Sequence, residues 1–327
     1  MLHHPTQRIA ALVCIAGAML AALPSGALGQ DFPNKPIRFI VPFPPGGGAD
    51  FNARAVAQKM AESLGQPVLV ESRAGAGGNI GTEFVARAPA DGYTMLFATN
   101  GITVQPHLAP VRWDPVKDFA AVSLITTYPL IIAVHPSVPA QTLQELVAFA
   151  KANPSKLTYG SSGVGAPLHM AAEYFKSVVG VDIVHVPYKG NAPMTAALLS
   201  GEINMVFDSM TGPLPNIRAG KLRGLAVTSK RRVGVVPDLP TVAESVAPSY
   251  AYEAWNGVLV PAGTPRDNVA RLATEIGKAV AQTDVSQRLT AAGYFPISTT
   301  PEQFTAIITE DLLKFGRLIR EAGIKAD

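Results

Sequence analysis

Short apolar runs alternate along this chain with segments whose apolar positions recur every three or four residues. The first kind predicts buried strands and the second amphipathic helices. The opening example is Ile37–Arg54, IRFIVPFPPGGGADFNAR. Ile37, Phe39, Ile40 and Val41 read as a β-branched, apolar strand that Pro44 and Pro45 stop. Gly46, Gly47 and Gly48 then let the backbone turn and press close to a ligand, and a helix opens near Ala49–Asp50. The same reading places further strands at 68–71, 94–99, 122–125, 130–134, 157–160, 183–186, 205–207, 222–227 and 255–260. It places helices at 78–87, 142–152, 167–179, 192–199, 266–282, 285–292 and 301–322. Thr142 with Glu145, and Thr300 with Gln303, have the spacing of capping boxes.

This β-α alternation predicts an α/β protein with mostly parallel sheets covered by helices. Ligands in such sheets sit beyond the carboxyl ends of the strands. The unusual sequences of the chain lie at those ends: PPGGGAD, ESRAGAGGN, ATNG, SSGVGAP and FDSMTGP. Two apolar stretches, 127–136, bracketed by Pro129 and Pro136, and 250–261, are candidate crossings between lobes. They divide the chain into one lobe of residues 30–128 plus 253–327 and a second lobe of residues 129–252. Two lobes joined by two strands form a hinged clamp with a cleft between them.

The first 29 residues read as a secretory signal peptide. Arg8 ends the charged region, 9–23 is an apolar run short for a bilayer, and Ala27-Leu28-Gly29 suits cleavage before Gln30. Cys14, the one cysteine, lies inside that run, so the mature chain is expected to hold no disulfide and no thiol chemistry. No later apolar run is long enough to span a bilayer, which predicts a soluble, periplasmic protein. Lys and Arg number 27 against 24 Asp and Glu, a formal net charge of +3. No basic run interleaved with aromatics appears, so nucleic acid is not an expected partner.

A glycine loop feeding a helix N-terminus presents free N–H groups and the positive end of a dipole, which suits an anion. PPGGGAD lacks the Lys-Ser/Thr of a phosphate loop and the spacing of G-x-G-x-x-G. Gly160–Gly165 repeats the design before a helix at Pro167, with Ser161 and Ser162 as candidate anion-binding hydroxyls. A catalytic reading of either serine competes, with His169 as base, although G-x-S-x-G is not matched. It requires a histidine and an acid within hydrogen-bond reach. His107, His135, His169 and His185 show no metal-ligand spacing, and no metal or cofactor is expected. Asp50 either favours the first helical turn or orders the glycine loop or a ligand amine. Asp208 ends a buried strand, and Thr99-Asn100 ends another, with Asn100 able to donate and accept. Lys189 either meets a carboxylate or extends to water.

IRFIVPFPPGGGAD, GQPVLVESRAGAGGNIGTEFVARAPADGYTMLFATN, TYGSSGVGAPLHMAAEYF, VPYKGNAPM, MVFDS, LPTVAES and the C-terminal AGIKAD together resemble the Bug family. These are periplasmic solute-binding proteins of tripartite tricarboxylate transporters, and the resemblance runs over Asp31–Asp327. It implies a type II periplasmic-binding-protein fold: two α/β lobes joined by a two-strand hinge, closing on ligand. It implies a non-enzymatic, monomeric receptor for a small carboxylate, whether dicarboxylate, acidic amino acid or aromatic acid. Its partners would be membrane transporter subunits or, in a signalling variant, a sensor kinase. The implied ligand-binding residues are Phe43, Pro45, Gly46, Gly47, Gly48, Ala49 and Asp50 of the first loop, and Ser161, Ser162, Gly163 and Gly165 of the second. Thr99, Asn100, His169 and Asp208 complete the set. The chain departs from the family pattern at Ala49, where a hydroxyl residue is usual, and at Ala74, Ala166, Asn191 and Trp255-Asn256.

Overall fold

Two mixed sheets, each covered by helices, make up the computed structural model, which describes residues 32–325. The expected leader lies outside the described residues. From Lys35 onward the chain forms one compact unit. The strands are β1 (Ile37–Val41), β2 (Val68–Ser72), β3 (Thr94–Thr99), β4 (Phe119–Pro129), β5 (Ile131–Val134), β6 (Thr158–Ser161), β7 (Val184–Pro187), β8 (Met205–Asp208), β9 (Arg223–Val227), β10 (Glu253–Pro261) and β11 (Phe295–Pro296). The first sheet has the order β11-β4-β10-β3-β1-β2 and the second β7-β6-β8-β5-β9.

The wholly apolar strands lie inside. Ile37, Phe39, Ile40 and Val41 of β1 are fully buried between β2 and β3, and every residue of β3 is buried. β2 alternates and lies at the edge, leaving Leu69 exposed. A strand with both faces covered reads as a continuous apolar run, while a half-covered one alternates.

The sheets are less parallel than the alternation predicts. β1 runs parallel to β2 and β3, and β6 to β7 and β8. β10 runs antiparallel to β3 and β4, β11 to β4, and β5 to β8 and β9. A parallel pair needs a crossover, usually a helix. β5 and β10 instead arrive by crossing from the other sheet, so no crossover sets their direction.

Those crossings are tied together. β4 ends at Pro129 and β5 begins at Ile131 in the second sheet; β9 ends at Val227 and the chain re-enters the first sheet at Glu253. Between them the Leu130 N–H donates to Thr228 Oγ1 at 2.8 Å, the Thr228 N–H to the Leu130 carbonyl at 2.9 Å, and the Tyr252 N–H to the Thr228 carbonyl at 2.9 Å. Leu130 and Thr228 are fully buried.

Helix caps follow the expectation in one case and half of it in another. Thr300 and Gln303 form the complete box before helix Pro301–Ala322. Thr142 caps helix Leu143–Ala152 through the Glu145 N–H, but the Glu145 carboxylate accepts from the Gln141 N–H at 2.6 Å instead of closing the box. Helices Gln105–Leu108, Pro213–Arg218 and Val242–Ser245 and the two-residue β11 went unpredicted, being too short for a periodic signal.

Thr228→Val keeps the shape but removes the acceptor for the buried Leu130 N–H. It is expected to lower stability by about 1–3 kcal/mol in urea titrations; a change within about 0.5 kcal/mol, the usual scatter of neutral substitutions, would show that the tie contributes nothing.

Candidate ligand cleft

Three helix N-termini border one narrow cavity of about 30 Å³ between the two sheets. Gly48 and Ala49 belong to helix Gly48–Leu64, Pro167 and Leu168 to helix Pro167–Val179, and Asn191 to helix Asn191–Ser200. Phe43, Thr99, Tyr128, Asn256 and Tyr294, in or beside strands of the first sheet, complete the wall with Ser162 and Ser209, which follow strands of the second. None of these side chains is charged. Helix ends carry N–H groups without an intrahelical acceptor: Phe51 is the first residue to bond back, to the Gly47 carbonyl at 3.0 Å.

The first glycine loop is held from within its own helix. The Asp50 carboxylate accepts the Gly46 N–H at 3.1 Å and is paired with Arg54 at 2.8 Å. Asp50 therefore stands in the first helical turn and also orders the glycine loop. Gly46 has φ +82°, a left-handed value that favours glycine. Gly48 is required for a different reason, since a Cβ there would lie 2.0 Å from the Tyr294 hydroxyl. Tyr294 packs on Tyr128, with ring centroids 4.9 Å apart, and burial pushes its hydroxyl up to about 12 against hydrogen bonding to Ser209, Thr211 and Asn52. It therefore stays neutral at physiological pH.

The second loop is held by histidines. Ser161 is fully buried and its Oγ lies 2.6 Å from His185 Nε2, while His169 Nδ1 accepts the Gly165 N–H at 3.2 Å. The two imidazoles stack at 4.3 Å. The histidine beside Ser161 is thus His185 rather than His169, and Ser162 is the serine at the cavity wall.

The remaining candidates fall into two groups. Phe43, Gly48, Ala49, Thr99 and Ser162 line the cavity. Pro45 and Gly46 are exposed and do not line the cavity, and a Cβ on Gly47 would lie 3.5 Å from Asn191 Oδ1. Asn100 is fully buried and donates to the Tyr252 hydroxyl at 2.9 Å. Asp208 lies behind the wall; its Oδ1 accepts from Asn191 Nδ2 and the Ser209 N–H, both at 2.7 Å. Its Oδ2 is buried with no hydrogen-bond partner. Burial pushes the carboxyl up to about 7, with the Ser209 and Asn191 hydrogen bonds pulling the other way.

Tyr128, Asn191, Ser209, Asn256 and Tyr294 enter the wall without having been singled out as ligand residues. Asn191 and Asn256 were visible as departures from the family pattern, and Ser209 adjoins Asp208; nothing in the sequence marked Tyr128 or Tyr294. Gln105 was also missed. Its Nε2 donates across the cleft to the Val164 carbonyl at 2.7 Å, and its Oε1 accepts from Asn79 at 3.1 Å.

Residues 52–324 match the family described as tripartite tricarboxylate transporter family receptor, TctC. The chain belongs to this family. It is a receptor family, not a family of enzymes, and its fold is the two-lobed one of the Bug-type binding proteins. The chain is 34% identical over 319 residues to protein BugT of Bordetella pertussis, covering 96% of each chain. A structure described as R. palustris Rpa4515 with adipate superposes with a TM-score of 0.86 at 33% identity, covering 90% of this chain and 99% of that one. MatC (Rpa3494) from Rhodopseudomonas palustris with bound malate gives 0.83 at 30% identity, covering 88% of this chain and 100% of that one.

Two outcomes follow for this receptor. Gly48→Ala is expected to cost about 1–3 kcal/mol by overpacking, and distinctly less in a Tyr294→Phe background, where the clashing oxygen is gone. Equal losses in both backgrounds, read by thermal or urea unfolding, would show that Tyr294 does not set this constraint. The raised Asp208 carboxyl keeps its proton in the folded chain up to about pH 7, whereas the unfolded chain loses it near 3.8. Stability from this group is therefore full below about pH 4 and falls as pH rises to 7. Across that window wild type should lose ground to Asp208→Asn by up to about 1.4 kcal/mol per pH unit; parallel pH profiles would refute the raised value.

Proposed function

We propose that this protein is a periplasmic receptor that captures a small carboxylate between its lobes and passes it to a tripartite tricarboxylate transporter. The observation that carries this reading is the convergence of three helix N-termini, from both lobes, on one cavity whose wall has no charged side chain. An anion there meets backbone N–H groups, the hydroxyls of Thr99, Ser162 and Tyr294, and the positive ends of the dipoles. Hydrogen bonds to a charged acceptor contribute roughly 1.5–3 kcal/mol each. A few of them, less the ordering costs, are consistent with a micromolar site of about −8 kcal/mol. The adipate and malate carried by the related structures support a carboxylate.

The first-loop residues Phe43 to Asp50 and the second-loop residues Ser161 to Gly165 form the two jaws in this proposal. Asp50, Asn100, Ser161, Gly163, Gly165, His169 and Asp208 hold the lining residues in place from behind. A cavity of about 30 Å³ takes roughly two waters, so admitting a dicarboxylate requires the lobes to part. The lobe boundaries proposed for that motion are residues 30–128 with 253–327, and residues 129–252, bending where β4 passes to β5 and where the chain re-enters β10. Among the described residues no helix is long and apolar enough to cross a membrane, and export through residues 1–29 would place the receptor in the periplasm.

A thermal-shift screen of dicarboxylates, acidic amino acids and aromatic acids tests the reading. A true ligand at about a hundred times its Kd stabilises by about 2.7 kcal/mol and raises the melting temperature by several degrees; no shift with any carboxylate would sink it. Gly47 has ordinary extended backbone and room for a Cβ, so Gly47→Val should fold normally yet lose binding by filling the gap toward Asn191. Unchanged affinity in that variant would remove the first loop from the site.

A further inference from the structure

The direction of two side-chain amides is fixed by what lies behind them. Asp208 Oδ1 accepts the Ser209 N–H at 2.7 Å and also faces the Asn191 amide at 2.7 Å. With the proton of the neutral carboxyl on the unpartnered Oδ2, both hydrogen bonds to Oδ1 are kept. Oδ1 therefore accepts in either protonation state, and Asn191 must turn its NH₂ toward it. The Asn191 Oδ1 then points the other way, to the Gly47 side of the cavity, where a Cβ on Gly47 would meet it at 3.5 Å.

Across the cleft a longer chain of bonds reaches the same result. Asn52 Nδ2 donates to the Gly48 carbonyl at 2.8 Å, which leaves Asn52 Oδ1 as an acceptor. Thr126 Oγ1 donates its one hydrogen to that oxygen at 3.2 Å. The Thr126 oxygen can then only accept, and it does so from Asn256 Nδ2 at 2.9 Å. Asn256 also lines the cavity and is left with its carbonyl oxygen as the free end.

We propose that Asn191 and Asn256, one from each lobe, are specificity-determining residues that present carbonyl oxygens to the ligand and so select a carboxylate bearing an O–H or N–H donor over an unsubstituted dicarboxylate. This rests on the carboxylate reading above. The helix N-termini supply donors for the carboxylate, and an acceptor beside them repels a second anion but satisfies a hydroxyl or ammonium on the neighbouring carbon. A buried acceptor left without a donor is penalised, so the plain acid loses on both counts.

The test compares succinate, L-malate and L-aspartate, which share a four-carbon dicarboxylate and differ in carrying no donor, a hydroxyl or an ammonium. Isothermal titration of wild type is expected to show malate or aspartate at least tenfold tighter than succinate, and the preferred one tells hydroxyl from ammonium. In Asn191→Ala or Asn256→Ala that preference should fall below about threefold, as malate and aspartate lose an acceptor and succinate no longer faces one, with the far-UV circular dichroism spectrum and the unfolding midpoint reporting a folded variant. Asn191→Ser and Asn256→Ser replace any alanine variant that fails to fold. Equal affinity for the three acids in wild type, or a preference that survives in both variants, overturns the assignment and leaves the carboxylate reading standing. Binding of no carboxylate at all overturns both.

Discussion

The floor of the cleft depends on one close approach, that of the Tyr294 hydroxyl to the first turn of helix Gly48–Leu64. A Cβ at Gly48 would lie 2.0 Å from that oxygen, so the helix can begin where it does only because the residue has no side chain. The contact places the helix N-terminus, the Tyr128–Tyr294 ring pair and Ser209 of the second lobe around one small volume. With no charged side chain in the wall, recognition of the proposed anion would fall to preorganised N–H groups and hydroxyls. Such dipoles need no counter-charge and gain strength where water is excluded.

Behind this wall lies a set of polar groups whose work is to orient others. Asp50 fixes the Gly46 amide, His169 the Gly165 amide, His185 the Ser161 hydroxyl, and Asp208 the Asn191 amide. Asp50, His169 and Asp208 are buried and His185 is half-buried; the first two satisfy backbone N–H groups of the loops, and the last two hold side chains. The buried chain from Gly48 through Asn52 and Thr126 to Asn256 links the first helix to the central strand of the first sheet. The preference proposed for the site would thus be set by acceptors and donors one layer away from the ligand.

Motion between the lobes is constrained at the same depth. Thr228 joins both crossing segments through its hydroxyl, amide and carbonyl, while Gln105 reaches from the first lobe to the Val164 carbonyl of the second loop. The first tie joins the two crossings to each other. The second would have to break in the opening proposed for the cleft.

The strands beyond the edges, the long helices and the two glycine loops were legible in the residues themselves. β1, β3 and helix Pro301–Ala322 with its Thr300 box carry local signals, because burial on both faces, helical period and cap chemistry act within one stretch of chain. The loops announced themselves through Gly46–Gly48 and Ser161–Gly165 at strand ends. What the tertiary structure alone decided is which of those residues meets the cavity. Asp208 and Ser161 carry the more conspicuous chemistry yet stand behind Asn191 and Ser162, and Tyr128 and Tyr294 come from segments with no mark of function. The antiparallel direction of β5 and β10 also escaped local reading. Period and propensity describe how a segment folds on itself; which face meets another segment depends on contacts between residues far apart in the chain, and a single sequence does not encode those in any local pattern.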